Sequence, residues 1–269
     1  MTTPRPTPAF GDDGSRPAPD REVAQPRASW KNGGLLAALG ALLVKFKSLI
    51  FLLLGKAKLI FFGLAKLKTA LSMLAYFGTY WAMYGWKYAG GIVVSIYVHE
   101  MGHVIAARRH GIRASAPVFI PFVGAFILLK EAVTDVRVNA RIGLEGPVFG
   151  LGAALAFYVA YITTNIHVLG VIAASGAFIN MFNLLPVLFL DGARGYSSLT
   201  RNDRWTLVGA LAGIAFLLKD PWLGILALAG VAVSTFSAPS EESDKPMLFL
   251  YLFLAVSLAL IVRTVMHAR

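Results

Sequence analysis

The sequence contains no cysteine, which excludes disulfides, thiolate metal sites and a cysteine nucleophile. Any metal held by this chain must use histidine and carboxylate ligands. Charge is scarce as well: 14% of the 269 residues are Asp, Glu, Lys or Arg, against about a quarter in a soluble domain. Acidic residues are the rarer sign, 14 against 25 Lys and Arg, for a net charge of +11. What is present in excess is apolar, 57% of the chain, and that composition places it in a bilayer before any motif is read. In a membrane protein a basic surplus belongs on cytoplasmic loops or against anionic lipid, so the lipid bilayer, not nucleic acid, is the expected partner.

The first apolar run starts only at Leu35, too late for an ordinary secretory signal peptide, so insertion is expected through the chain's own helices. Residues 1–33 hold six of the thirteen prolines and few aliphatics, and read as a disordered polar tail whose arginines favour the cytoplasm. Residues 34–68 alternate apolar runs with the lysine pairs Lys45/Lys47, Lys56/Lys58 and Lys66/Lys68. No interval between the pairs reaches the ~20 residues of a spanning helix. An interfacial helix with snorkelling lysines is expected there, and a spanning helix with buried lysines is the costlier alternative. From residue 69 the pattern predicts helical spans at about 69–86, 88–108, 142–163, 166–190, 205–218, 221–236 and 247–265, the fifth and sixth short. The expected architecture is all-α and polytopic, with about six to seven transmembrane helices. Its catalytic membrane core covers 69–200 and its C-terminal helices 201–269.

The segment 112–139 breaks this rhythm. Pro117, Pro121 and Gly124 interrupt any helix, and the surrounding Val, Ile and Phe favour extended backbone. A re-entrant β-like loop or hairpin is predicted. Irregular backbone at membrane depth is tolerated only when buried in protein or lining a wet cavity, so a cavity is expected beside it. Arg108, Arg109 and Arg113 follow the second span, and Arg194, Arg201 and Arg204 the fourth, whereas the turn around Thr163–His167 has no basic residue. Both basic ends are therefore expected on the cytoplasmic side.

Within the second span stands His99-Glu100-Met101-Gly102-His103. Histidines four apart on a helix lie about 40° apart in azimuth and one turn displaced, so both imidazoles can reach one metal ion, with the glutamate nearby as a general base. Ionisable groups inside an apolar span are costly and point to function more than to a buried, satisfied histidine pair. A catalytic zinc usually takes three protein ligands and keeps one position open. Glu131, Asp135, Glu145, His167 and Asp191 are candidates for the third. Asp191 is preferred because it is expected to close the fourth span at the depth of the histidines, and Glu145 is the competitor.

His99-Glu-Met-Gly-His103 together with Asn183-x-x-Pro186-x-x-x-Leu190-Asp191-Gly192 resembles the site-2 protease family of intramembrane zinc metalloproteases. The resemblance covers roughly residues 85–200 and includes the small-residue pair Gly146-Pro147. It implies one zinc per chain, held by His99, His103 and Asp191, with Glu100 as catalytic base. It also implies membrane-anchored protein substrates. With the basic ends placed as above, a multi-pass protein with its site toward the cytoplasm is expected, in a bacterial inner membrane by preference. Gly176, Asn180 and Asn183 fall on one helical face and resemble the family's pattern before its aspartate. They are expected to hold substrate or stabilise the oxyanion, although small and amide residues are also common glue between helices. A substrate helix must unwind and pair its backbone with something. The stretch containing Val118, Phe119, Gly124, Ala125 and Phe126 could offer that strand. The competing readings are a catalytically silent zinc-containing binder, which Glu100 argues against; a zincin with Glu145 as third ligand; and a metal transporter, for which no ligand path is visible. A rhomboid-type serine protease lacks a nucleophile motif.

Overall fold

The computed structural model describes Lys47, residues 67–187 and residues 189–267. The polar tail and all of the lysine-punctuated segment except Lys47, Leu67 and Lys68 lie outside the described residues. Helix α1 occupies 67–84 and gives way at Gly85, whose φ of 83° lets the chain bend into α2, Trp86–Arg109. Arg108 and Arg109 fill the last turn of α2, where cations complement the helix dipole.

The expected hairpin follows. Strands β1, Val118–Ile120, and β2, Gly124–Phe126, pair antiparallel with Phe119 opposite Ala125, around a turn that holds Phe122 at φ 65° and Gly124 at φ 122°. Two side chains of α1 tie it down. Thr69 Oγ1 donates to the Pro117 carbonyl at 2.8 Å, and Ser72 Oγ accepts from the Phe119 N–H at 3.1 Å. Tyr76 of α1 packs edge-on against the Phe119 ring.

Helix α3 runs over Val136–Thr164, starting six residues earlier than the expected 142 because the Asp135 carboxylate caps the N–H groups of Arg137 and Val138. Helix α4 is His167–Asn183, α5 Asp191–Ser197, α6 Arg201–Leu218, α7 Pro221–Phe236 and α8 Lys245–His267. The fourth span was expected to run to 190. It ends at Asn183 instead, because Pro186 lacks an N–H and disfavours a helical residue before it. Asp191 consequently opens a short helix of its own instead of closing the span.

Three helices, α2, α3 and α8, are long and apolar enough to cross a membrane. α4 and α7 are apolar but shorter, with 17 and 16 residues. At about 1.5 Å per residue these reach about 25 Å, short of the ~30 Å hydrocarbon core. Six to seven full crossings are therefore not reproduced among the described residues. The main core lies between α3, α4 and α8, where Leu144, Leu151, Ala154, Ala173, Ala177, Leu254 and Leu258 are buried together. Tyr196 of α5 joins it, and the Tyr251 hydroxyl of α8 donates to the Leu184 carbonyl just past the end of α4. That bond fixes the start of the loop that delivers Asp191.

Candidate metal centre

The two histidines project from one face of α2 toward α3 and α5, and both are buried. His99 Nε2 lies 3.1 Å from His103 Nε2, and each lies 3.2 Å from Asp191 Oδ2. Every other ring nitrogen is spoken for. His103 Nδ1 is 2.7 Å from the Ile142 carbonyl oxygen, which can only accept, so Nδ1 carries the proton. His99 Nδ1 is 2.7 Å from Asn180 Oδ1. The amide of Asn180 is oriented by its own Nδ2, which donates to the Gly176 carbonyl at 2.8 Å, so His99 also carries its proton on Nδ1. With Nδ1 protonated, each imidazole in its neutral form turns an Nε2 lone pair toward the other and toward a carboxylate oxygen. Lone pairs converging in this way call for a proton or a metal cation among them. The donor set, two nitrogens and one oxygen with nothing soft, fits zinc, and the Nδ1 partners fix tautomer and ring orientation as supporting groups of a metal-bound histidine do. Among the described residues this is the one trio of His, Asp or Glu side chains close enough to share an ion.

The histidines can sit where they do because α3 is pared down beside them. A Cβ on Gly146 would overlap the His103 imidazole, and one on Gly150 would overlap the Asn180 amide. Two glycines four apart make a groove along α3 into which the ligand and its supporting amide fit. Replacing Asn180 with Ala removes the acceptor that fixes the His99 tautomer. It is expected to weaken metal affinity about 10–100-fold, as loss of a supporting hydrogen bond does, while the circular dichroism spectrum stays helical. Competition with a fluorescent chelator measures this, and unchanged affinity would show that Asn180 has no such role.

Glu100, also buried, is not a member of the ligand trio. It lines a cavity of about 270 Å³ together with His99, His103, Asn183, Asp191 and Arg194. The wall opposite the ligands is the hairpin, through Val123, Ala125 and Phe126. A second cavity of about 420 Å³ shares His99, Glu100, Ala125 and Asn183 and continues toward Tyr76 and Tyr80 of α1.

The other predicted residues fall into two groups. Asn183 faces both cavities, with Nδ2 3.5 Å from His99 Nε2. Gly124, Ala125 and Phe126 form β2 at the cavity wall, whereas Val118 and Phe119 lie on the far strand, Phe119 buried against α1. Asn180, expected to hold substrate or stabilise the oxyanion, lines the second cavity, and its amide bonds His99 Nδ1 and the Gly176 carbonyl. Gly176, expected to share that role, is buried at the α2–α4 contact, where a Cβ would stand 2.5 Å from Ser95 Oγ. Glu145, the competing third ligand, points away and pairs with Arg109 at 3.2 Å. Glu131 pairs with Arg113 at 2.7 Å, Asp135 caps α3, and His167 starts α4 at the other end of α3.

Sequence reasoning gave Arg194 only a role in orientation, and missed that it lines the cavity beside the trio. It stands one turn after Asp191 on α5, its side chain lies against Gly143, and its Nε donates to Asn139 Oδ1 at 2.9 Å. Its position at i+3 from Asp191 was the available signal.

Residues 87–166 match the profile of peptidase family M50, the site-2 proteases. The chain is 32% identical over 184 residues to a Mycobacterium tuberculosis protein named "Putative zinc metalloprotease Rip3", a match covering 58% of this chain and 47% of that protein. It is 27% identical over 108 residues to "Zinc metalloprotease MJ0392" of Methanocaldococcus jannaschii, covering 38% and 31%. The chain thus spans less than half the length of the curated relatives it matches. No solved structure matches it.

Proposed function

We propose, from the premise that residues 87–166 are a peptidase family M50 core, that this chain is a zinc metalloendopeptidase that cuts membrane-anchored proteins in or next to their transmembrane segments. The observation that carries the reading is the convergence of His99, His103 and Asp191 on one point, with both Nδ1 protons already committed. The three would hold one zinc. When bound, zinc supplies the Lewis acidity that activates water and polarises a peptide carbonyl.

The chain's own groups do the rest. Glu100, in the cavity beside the ligands, takes the proton of the attacking water and passes it to the leaving amide nitrogen. Asn183 is placed to donate to the carbonyl oxygen as negative charge builds there. Residues of β2 line both cavities, and among the described residues β2 pairs only with β1, which would leave its other edge to backbone from a substrate. A locally unwound helix adding as a further strand would have its freed N–H and C=O groups satisfied there. Basic residues at the C-terminal end of α2 and after Asp191 support a cytoplasmic position for the site, in a bacterial inner membrane by preference and in regulated intramembrane proteolysis.

The test is zinc content together with cleavage of a single-span substrate by the full chain in liposomes. About one zinc per chain, cleavage lost to a chelator and cleavage restored by added zinc are the expected results. A stably bound zinc without cleavage of several substrates would favour a silent binder and overturn the protease reading. The strand proposal has its own test. Ala125→Pro removes an N–H from β2 and is expected to lower turnover at least about tenfold with zinc content unchanged, and wild-type turnover would sink it.

A further inference from the structure

A third cavity, of about 300 Å³, lies apart from the metal centre where one end of each of the three span-length helices meets. The C-terminal turn of α2 contributes Arg109 and His110, the N-terminal part of α3 contributes Arg141 and Glu145, and the start of α8 contributes Asp244 and an apolar floor around Met247. Basic helix ends mark the level of lipid headgroups.

The charges around it are almost all cancelled locally. Arg109 pairs with Glu145, Arg137 with Glu242, and Lys245 with Asp203. Of the four charged residues that line the cavity, Arg141 and Asp244 have no ion-pair partner among the described residues. Arg141 is exposed. Asp244 is 5% exposed; its Oδ1 accepts from the Met247 N–H at 3.3 Å as the cap of α8, but its Oδ2 is buried with no partner among the described residues. An unpaired buried carboxylate oxygen is costly and calls for a donor. The cavity has about ten times the ~30 Å³ share of one water, so a single structural water does not account for it.

We propose that this cavity binds the headgroup of a phospholipid bearing a primary amine, with the phosphate on Arg141 and His110 and the ammonium on Asp244 Oδ2. An arginine and an aspartate lining one cavity match a phosphate joined to an ammonium. The ammonium's N–H groups satisfy Oδ2, which a quaternary amine without N–H groups does not. The bilayer-spanning part of the proposed function is presupposed, but catalysis is not. The site also borders the metal centre in sequence: Arg141 precedes Ile142, whose carbonyl orients His103, and Glu145 precedes Gly146, which makes room for it.

Native mass spectrometry of the full zinc-loaded chain, incubated in detergent with phosphatidylethanolamine, phosphatidylglycerol and phosphatidylcholine of identical acyl chains, tests this without reading cleavage. Wild type is expected to retain one phosphatidylethanolamine at an occupancy about tenfold above the other two, the scale of one charge-assisted hydrogen bond. Asp244→Asn keeps the helix cap and is expected to reduce phosphatidylethanolamine to the level of phosphatidylglycerol. Arg141→Gln should lower all phospholipids, and Glu242→Gln, outside the cavity, should change nothing. Equal retention of the three lipids by wild type, or an unchanged preference in Asp244→Asn, would overturn the proposal. Complete displacement by soluble phosphoethanolamine at equal concentration would overturn the lipid as its source. Because zinc content and binding are read separately from cleavage, a chain that fails to cut peptides still decides this question.

Discussion

Glu100→Gln is expected to abolish cleavage, by about 10²–10⁴-fold, while the chain keeps its zinc. The range is that of a positioned general base. The retention follows from geometry: the side chains close enough to share an ion are His99, His103 and Asp191, and Glu100 stands in the cavity beside them. Gln has the same shape, so the cavity stays filled, but its amide cannot accept a proton from water at neutral pH. Inductively coupled plasma mass spectrometry and single-turnover cleavage on the same preparation separate the two effects. Loss of zinc would mean that Glu100 is itself a ligand. Retained zinc with retained cleavage would move the base elsewhere in the cavity.

Gly146→Val should act in the opposite sense, removing the metal and with it all activity. The added side chain would occupy the space of the His103 imidazole, close to its Nε2. His103 cannot back away, because its Nδ1 is held by the Ile142 carbonyl on the same helix, α3. Zinc affinity is expected to fall about 100-fold or more, at or beyond the upper end of what loss of a supporting shell costs. Gly152→Val is the control, since a Cβ there meets nothing within 4 Å. Its zinc content should equal wild type. A Gly146→Val chain that binds zinc normally would show that α3 does not position His103.

These two substitutions also mark where sequence reading succeeded and where it stopped. The His99–Glu100–His103 arrangement was legible because helical periodicity alone puts residues i and i+4 on one face. Asp191 was legible through its motif, although its local structure was not. The apolar run after Asn183 looks like more helix, and the weight of Pro186 shows only when the loop is seen. The hairpin was legible from its prolines, glycine and β-branched residues, but which of its strands lines the cavity beside the histidines was not. The supporting contacts were largely invisible. The acceptor on His103 is a main-chain carbonyl, which leaves no trace in residue type. The bond from His99 to Asn180 was not legible, because an amide on the right face says nothing about which neighbour it bonds. Gly146 and Gly150 carried a faint signal in their spacing, but what they make room for lies on α2 and α4.

The hairpin hangs from α1 through Thr69 and Ser72, whereas the ligand trio is assembled by α2, α3 and α5. Yet Phe119 of the hairpin also shares a buried cluster with Tyr76 of α1 and with Ile92, Val93 and Ile96 of α2, the helix that carries both histidines. The surface that would read a substrate is thus keyed to the helix that would cut it, and a shift of α1 that moves the hairpin is passed to that helix through the packing around Phe119.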